Sequence, residues 1–296
     1  MRKKVLMIVN PISGKKKKER YFSLIRLYLK RQGYDIYMKF TTKEKNASYI
    51  IENFNKPYDV ILACGGDGTL SEITHGLYKI KKQVPIGFIP SGTTNDYARS
   101  LHIPIRKKKL SKNLSSYKVI KTDLGTFNEK TFNYVAAFGL FSKASYSVHR
   151  KLKNTIGRLA YILYGIKELF SYKTYKMRFE FDDKIIEDNF IFGSISNSRY
   201  IGGFKVFRKR GIQFNDGEFE VLLIKSPKNL LDTILLIFKV IFGNFKDKNI
   251  VYFKTKKLHI QSLSNECVWS IDGEFGGDAK DVTITVKRDW NYFLVP

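Results

Sequence analysis

The stretch Val60-Ile61-Leu62-Ala63-Cys64-Gly65-Gly66-Asp67-Gly68-Thr69 decides the fold. Its first five residues are apolar and read as a buried strand. Three glycines then bracket Asp67, and helical spacing resumes from Leu70 to Tyr78 with Glu72 inside it. Glycines let a backbone bend tightly and approach a ligand with no Cβ in the way. The helix start presents unpaired N–H groups and the positive end of its dipole, a combination that binds phosphate. Strand, glycine loop and helix in that order are the context such a reading requires. The plainer alternative is a turn with Asp67 as a helix cap. Asp67 and a phosphate are both anionic, so Asp67 fits the site if a divalent cation mediates or neighbouring charges offset it. No GxxxxGK[ST] and no GxGxxG occurs, which disfavours Walker-type ATPases and ordinary dinucleotide oxidoreductases.

The same rhythm extends outward. Residues 4–9, 34–40 and 84–89 read as further strands. Tyr21, Leu24, Ile25, Tyr28 and Leu29, and then Ala47, Ile50, Ile51 and Phe54, fall at helical spacing. Alternation of this kind implies a doubly wound, mostly parallel α/β sheet with helices on both faces. Ligands of such sheets bind at the carboxyl ends of the strands. Asn10-Pro11-Ile12-Ser13-Gly14 ends the first strand, and Pro90-Ser91-Gly92-Thr93-Thr94-Asn95-Asp96 ends the fourth. Either alone is an ordinary turn. Together with 65–69 they would meet at one crevice.

After Asp123 the rhythm changes. A strand-like run at 131–137 leads into a helical region at 141–170. Alternating segments follow at 177–181, 190–196, 219–224, 251–261 and 282–286, with a helix at 230–242. Short strands separated by turns imply an antiparallel β-sandwich-like domain. The expected division is a nucleotide-binding α/β domain at 1–125 and a β-rich domain at 126–296, with the last residues free to return to the first domain.

Composition sets the outer bounds. Of 296 residues 43% are hydrophobic, which fits a packed core rather than disorder. Lys and Arg number 53 against 27 Asp and Glu, a net charge of +26. Such a balance implies an anionic partner, or a basic proteome that uses lysine for solubility. Cys64 and Cys267 make no disulfide framework and fit a cytosolic protein. The apolar run after Met1-Arg2-Lys3-Lys4 stops at Asn10-Pro11, too early for a signal peptide. Residues 230–242 are broken by Asp232 and Lys239, and fall short of the ~20 needed to span a bilayer. No nucleic-acid motif is present and the basic residues are not gathered in one segment, so nucleic acid is the remote alternative. His75, His102, His149 and His259 show no metal spacing. Trp269, Trp290 and the aromatic stretch 161–170 read as packing residues.

Asn10-Pro11-x-Ser13-Gly14, Gly65-Gly66-Asp67-Gly68-Thr69 and Pro90-x-Gly92-Thr93-x-Asn95-Asp96 together resemble the soluble lipid kinases. These are the bacterial diacylglycerol kinases and their sphingosine and ceramide kinase relatives. Gly-Gly-Asp-Gly is shared with NAD kinases, whereas Gly-Thr-x-Asn-Asp is much more specific. Asp123-Leu124-Gly125 and Asp272-Gly273-Glu274 also match, so the resemblance runs from the first strand to the last.

The resemblance implies an ATP-dependent, cytoplasmic, peripheral enzyme that phosphorylates diacylglycerol at an anionic membrane surface. It implies a nucleotide site lined by Asn10, Pro11, Ser13, Gly14, Thr41, Gly65, Gly66, Asp67, Gly68, Thr69, Glu72, Thr93 and Asn95, in a cleft between the two domains. Asp272 resembles the general base and Glu274 a residue that positions the lipid hydroxyl. Asp67, Asp96 and Asp123 resemble an acidic cluster around Mg²⁺ and its waters. A structural Mg²⁺ would sit at the 213–218 turn, on Asp216 with the carbonyls of Gln213 and Glu218. Arg208-Lys209-Arg210-Gly211 departs there from the usual, less basic pattern. Without the resemblance, Asp272-Gly273 is a type I′ hairpin turn, and Asn215-Asp216-Gly217 a second turn that needs no metal. Another lipid alcohol or NAD would use similar machinery. An exposed strand edge in the second domain would let two subunits pair.

Overall fold

In a computed structural model, which describes residues 2–13, 19–105, 117–140, 173–207 and 211–296, the early apolar runs become parallel strands. They are β1 (Lys4–Val9), β2 (Asp35–Phe40), β3 (Val60–Gly65) and β4 (Pro85–Pro90). β1 pairs with both β2 and β3, and β3 with β4, all in parallel. The order β2-β1-β3-β4 reverses direction between β1 and β3. In parallel sheets that switch opens a crevice at the strands' carboxyl ends, where the 10–13 and 65–69 bends lie.

Helices α1 (Glu19–Arg31), α2 (Ala47–Glu52), α3 (Asp67–Lys79) and α4 (Asp96–Ser100) alternate with these strands. Phe22 and Leu29 of α1 are buried and Ile25 half-buried, against Val5, Met7 and Val9 of β1. Leu24, expected on that stripe, is exposed. Phe22, Ile25 and Leu29 stand three and four residues apart, so the buried arc is rotated away from Leu24. The expected helix at 141–170 and the basic segments 15–18, 106–109 and 208–210 lie outside the described residues.

The chain divides into two units. One is Met1–Thr122 with Asp289–Pro296, the other Asp123–Arg288. The return comes through β15 (Asp281–Val295), the last of the strands that follow α4. The others are β5 (Lys118–Phe127), β6 (Lys130–Phe132), β7 (Val135–Gly139), β8 (Tyr175–Phe181), β9 (Lys184–Ser196), β10 (Phe219–Lys225), β11 (Ile250–Thr255), β12 (Lys257–Ser262), β13 (Cys267–Ile271) and β14 (Glu274–Ala279). Tyr292, Phe293 and Leu294 of β15 lie parallel to β4, as a fifth strand of the first unit's sheet.

The second unit is β-rich and antiparallel. β9 pairs with β8 along its first half, and with β7 and β10 along its second. β10 continues to β11, β8 to β12, β12 to β15, and β7 to β13 and β14. The run 251–261, expected as one strand, is two. Thr255 breaks it: its hydroxyl donates to the Lys257 carbonyl at 2.8 Å and accepts from the Lys257 N–H at 3.3 Å. Local bonds of this kind compete with a ladder. Helix α5 (Leu230–Ile241) follows β10.

Trp269 is fully buried in this unit's core, with ring centroids 5.0 Å from Phe127 and 5.1 Å from Phe138. Trp269→Ala should lower unfolding stability by about 3–5 kcal/mol, read as a lower denaturant midpoint. On one sheet face His259 Nε2 is 2.9 Å from Asp281 and Nδ1 is 3.5 Å from Glu180. The hydrogen bond to Asp281 leads in holding the His259 pKa above its ordinary value, against partial burial. Stability from such a group is full below the unfolded pKa, about 6.5, and is lost as pH rises through the folded value. His259→Asn should flatten that decline, measured as melting temperature between pH 6 and 8.

Candidate functional site

In the first unit three loops are tied to one another by short contacts. Asn10 donates from Nδ2 to Thr69 Oγ1 at 3.0 Å, joining the loop after β1 to the start of α3. Asn10 Oδ1 accepts from the Ile12 N–H at 3.2 Å, which curls that loop. The hydroxyls of Ser13 and Ser91 are 2.5 Å apart, joining it to the loop after β4. The Ser91 N–H donates to the Gly65 carbonyl at 2.6 Å. Pro11 is exposed beside them, and Gly14 lies outside the described residues.

Two glycines set the spacing of the β3 and β4 loops. A Cβ on Gly92 would stand 2.8 Å from Gly66 Cα, and a Cβ on Gly66 would stand 3.2 Å from Gly92 Cα. Only a pair without side chains lets the two backbones lie this close. Asn95 clamps the second loop: its Oδ1 accepts from the Gly92 N–H at 2.9 Å, and its Nδ2 donates to the Gly92 carbonyl at 3.0 Å. It does so in the left-handed conformation, φ 50°, which Asn tolerates better than most residues.

Asp67 is buried and caps a helix, though not its own. Oδ2 accepts from the Asp96 N–H at 3.1 Å and the Thr94 hydroxyl at 3.4 Å, and Oδ1 from the Tyr97 N–H at 3.3 Å. A carboxylate at the first N–H groups of α4 meets unpaired donors and the positive dipole end. Glu72 does the same for α2, accepting from the Ala47 N–H at 2.9 Å. The Thr41 N–H bonds to the Val9 carbonyl at 2.9 Å, which fixes Thr41 beside the end of β1. Gly68 and Thr93 remain partly exposed on this rim. The rim therefore presents backbone N–H groups, hydroxyls and close-packed glycines, a surface suited to phosphate oxygens.

The second unit holds Asp272 at the hairpin between β13 and β14, where Ile271 pairs with Glu274. Asp272 (φ 47°) and Gly273 (φ 81°) are both left-handed, the requirement of a type I′ turn. The Asp272 carboxylate is 2% exposed. Oδ2 accepts from the Asn133 N–H at 2.8 Å and Asn133 Nδ2 at 3.4 Å, and Oδ1 from the Tyr134 and Val135 N–H groups at 3.0 and 3.1 Å. A carboxylate has about four acceptor positions, and these four donors take them up. The longest of these is the contact from the Asn133 side-chain amide. Glu274, two residues on, is exposed. Sequence reasoning missed Asn133 and the Tyr134 and Val135 amides, since backbone donors leave no mark in the residue types.

Of the acidic residues assigned to Mg²⁺, Asp67, Asp123 and Asp216 bind backbone amides. Among the described residues no three His, Cys, Asp or Glu side chains gather as a metal-binding group. Asp67 meets the backbone of Asp96 in the first unit, whereas Asp123 serves the 214–217 turn of the second. Its Oδ2 accepts from the Gly217 N–H at 2.7 Å, and its own N–H donates to the Phe214 carbonyl at 2.7 Å. At that turn Lys254 Nζ lies 2.8 Å from Asp216 Oδ2 and 3.2 Å from Glu220 Oε1. Asp216 Oδ1 accepts from the Glu218 N–H at 3.1 Å. An ammonium and an amide thus engage the carboxylate that a structural ion would use, and the arrangement does not fit Mg²⁺ on Asp216, Gln213 and Glu218. Burial pushes Glu220 up to about 7, with Lys254 pulling the other way. Burial pulls Lys254 down, but Asp216 and Glu220 outweigh it and hold it above its ordinary value.

Lys254→Met should therefore cost about 3 kcal/mol, since it leaves the buried Glu220 and the half-buried Asp216 without their cation. Adding Glu220→Gln should recover more than half of that loss, measured as a double-mutant cycle in urea.

Profiles of two known domains match along the chain: the diacylglycerol kinase catalytic domain at residues 4–127, and the YegS C-terminal NAD kinase beta sandwich-like domain at residues 135–287. A diacylglycerol kinase of Staphylococcus haemolyticus (strain JCSC1435) is 29% identical over 290 residues, 97% of this chain and 87% of that protein. A diacylglycerol kinase of Bacillus subtilis (strain 168) is 29% identical over 278 residues, 93% of this chain and 91% of that protein. Two solved chains from Bacillus anthracis str. Sterne share the fold, each covering 99% of this chain and 97% of its own. One superimposes with a TM-score of 0.82 at 24% identity, the other, a diacylglycerol kinase, with 0.77 at 22%. The two profiles match in order at the α/β and the β-rich unit, and with these relatives they show that the chain belongs to the diacylglycerol kinase family of lipid kinases.

Proposed function

We propose that this lipid kinase transfers the γ-phosphoryl group of ATP to the hydroxyl of diacylglycerol, giving phosphatidic acid. The carrying observation is the triple tie between the loops after β1, β3 and β4, through Asn10 and Thr69, Ser13 and Ser91, and Gly66 and Gly92. Phosphoryl transfer asks for positioning and charge neutralisation more than covalent work by the protein. Asn10, Ser13, Gly65 to Thr69, Thr93 and Asn95 supply the rim on which a triphosphate would lie. Mg²⁺ would arrive on the triphosphate, neutralising it while keeping several waters.

The acceptor is an alcohol that stays protonated at neutral pH, so a base must take its proton as the phosphoryl group moves. Asp272 is assigned that role. Its hairpin and three backbone N–H bonds hold the carboxylate rigidly, and the Asn133 amide is the contact the alcohol would displace. Glu274, exposed beside it, is assigned to orient the hydroxyl.

Incubation with γ-labelled ATP, Mg²⁺ and short-chain diacylglycerol should give labelled phosphatidic acid. Asp272→Asn keeps the shape and removes the base, so the rate should fall by about 10²–10⁴; full activity in that variant would remove Asp272 from the mechanism. Label appearing on NAD and on no lipid would move the chain's activity to a different acceptor. Gly92→Ala should raise the KM for ATP and lower unfolding stability, since its Cβ would push the β3 and β4 loops apart and break the bonds that join them.

A further inference from the structure

Helix α5 is apolar on two opposite faces. One face, Thr233, Leu236 and Val240, is buried, packed with Phe207, Leu222 and Phe245. The other carries Leu231 at 66% exposure, Leu235 at 50%, Phe238 at 53% and Phe242 at 60%. These stand four, three and four residues apart, so at ~100° per residue they share an arc of about 60°. The line runs the whole length of the helix, about 16 Å at 1.5 Å per residue. The rings of Phe238 and Phe242 are stacked 6.4 Å apart, which presents them as one plate.

Charge frames this line. The helix has two charged residues, Asp232 and Lys239, both on one flank, and Lys239 is tied to Asp247 at 2.6 Å. Lys228 before the helix and Lys246 and Lys248 after it are exposed. A scattered exposed leucine needs no explanation, but a continuous apolar line on an otherwise cationic chain does. An apolar helix face with exposed lysines just before and after it in the chain suits a helix lying in a membrane interface. A second copy of the chain would cover the apolar line too, but it would set these lysines against their like.

We propose that α5 lies flat on an anionic bilayer, with Leu231, Leu235, Phe238 and Phe242 inserted among the acyl chains and Lys228, Lys246 and Lys248 on the headgroups. The inference rests on the lipid-kinase reading and adds the face by which the protein meets its substrate's membrane. Because insertion buries apolar surface, binding should keep a component that salt does not remove, unlike docking by charge alone.

The test uses the full chain and vesicles of phosphatidylglycerol and phosphatidylcholine without diacylglycerol, so its readout does not depend on activity. Wild type should co-sediment, and about half of the bound protein should stay bound in 0.5 M salt. Leu235→Ser with Phe238→Ser should weaken binding about tenfold or more. Its activity on short-chain diacylglycerol dissolved in water should match wild type, and failure of wild type on that substrate would count against the kinase reading alone. Separately, Phe238→Trp should shift the added indole emission to the blue on vesicle binding, as a difference from wild type. Unchanged sedimentation of the serine variant, or no shift in the tryptophan variant, would overturn the proposal. So would a wild-type dimer in solution that the serine variant converts to monomer, since that makes the face a self-association surface.

Discussion

In the first unit two backbones meet with no side chain between them, at Gly66 and Gly92. The rest of that site depends on it. With the β3 and β4 loops in contact, Asp67 can reach the N-terminus of α4, and Ser91 can meet both Gly65 and Ser13. Widening the gap would break these bonds together. A site for a large, flexible anion needs several loops at fixed spacing, and here the spacing comes from missing atoms.

The buried Asp67, Asp123 and Asp272 and the half-buried Glu72 follow one pattern. Asp67 binds the amides of α4, Glu72 that of α2, Asp123 that of the 217 turn, and Asp272 those of 133–135. Acidic residues are a minority in this chain, 27 against 53 basic, and these four clasp distant segments of backbone. A buried amide donor without an acceptor is costly, so each clasp satisfies a group the fold would otherwise strand. The lysines among the described residues, by contrast, stay largely at the surface.

Much of this architecture could be read from residue patterns. β1 was legible because residues 5–9 are apolar and Asn10-Pro11 stops them. The I′ hairpin at 272 was legible because Asp-Gly tolerates two left-handed residues. What escaped was set by distant partners. The break at Thr255 depends on a hydroxyl turning back on Lys257, and the alternation on either side hides it. The turn at Asp216 looked like a place for a divalent ion because Asp-Gly and neighbouring carbonyls suit one. Lys254, 38 positions later in the chain, could not be placed beside it from spacing. Likewise Asp67 was readable as a cap, but the helix it caps begins at Asp96.

The eight residues 289–296 return to the first unit and supply the strand beside β4. During synthesis that strand emerges only after the whole antiparallel unit. Until then β4 presents an open row of amides and carbonyls, a template for pairing with any extended segment nearby. The sheet of β1 to β4 is thus made before the antiparallel unit and closed after it, so removing residues 289–296 would leave β4 unpaired on that side and the first unit prone to aggregate.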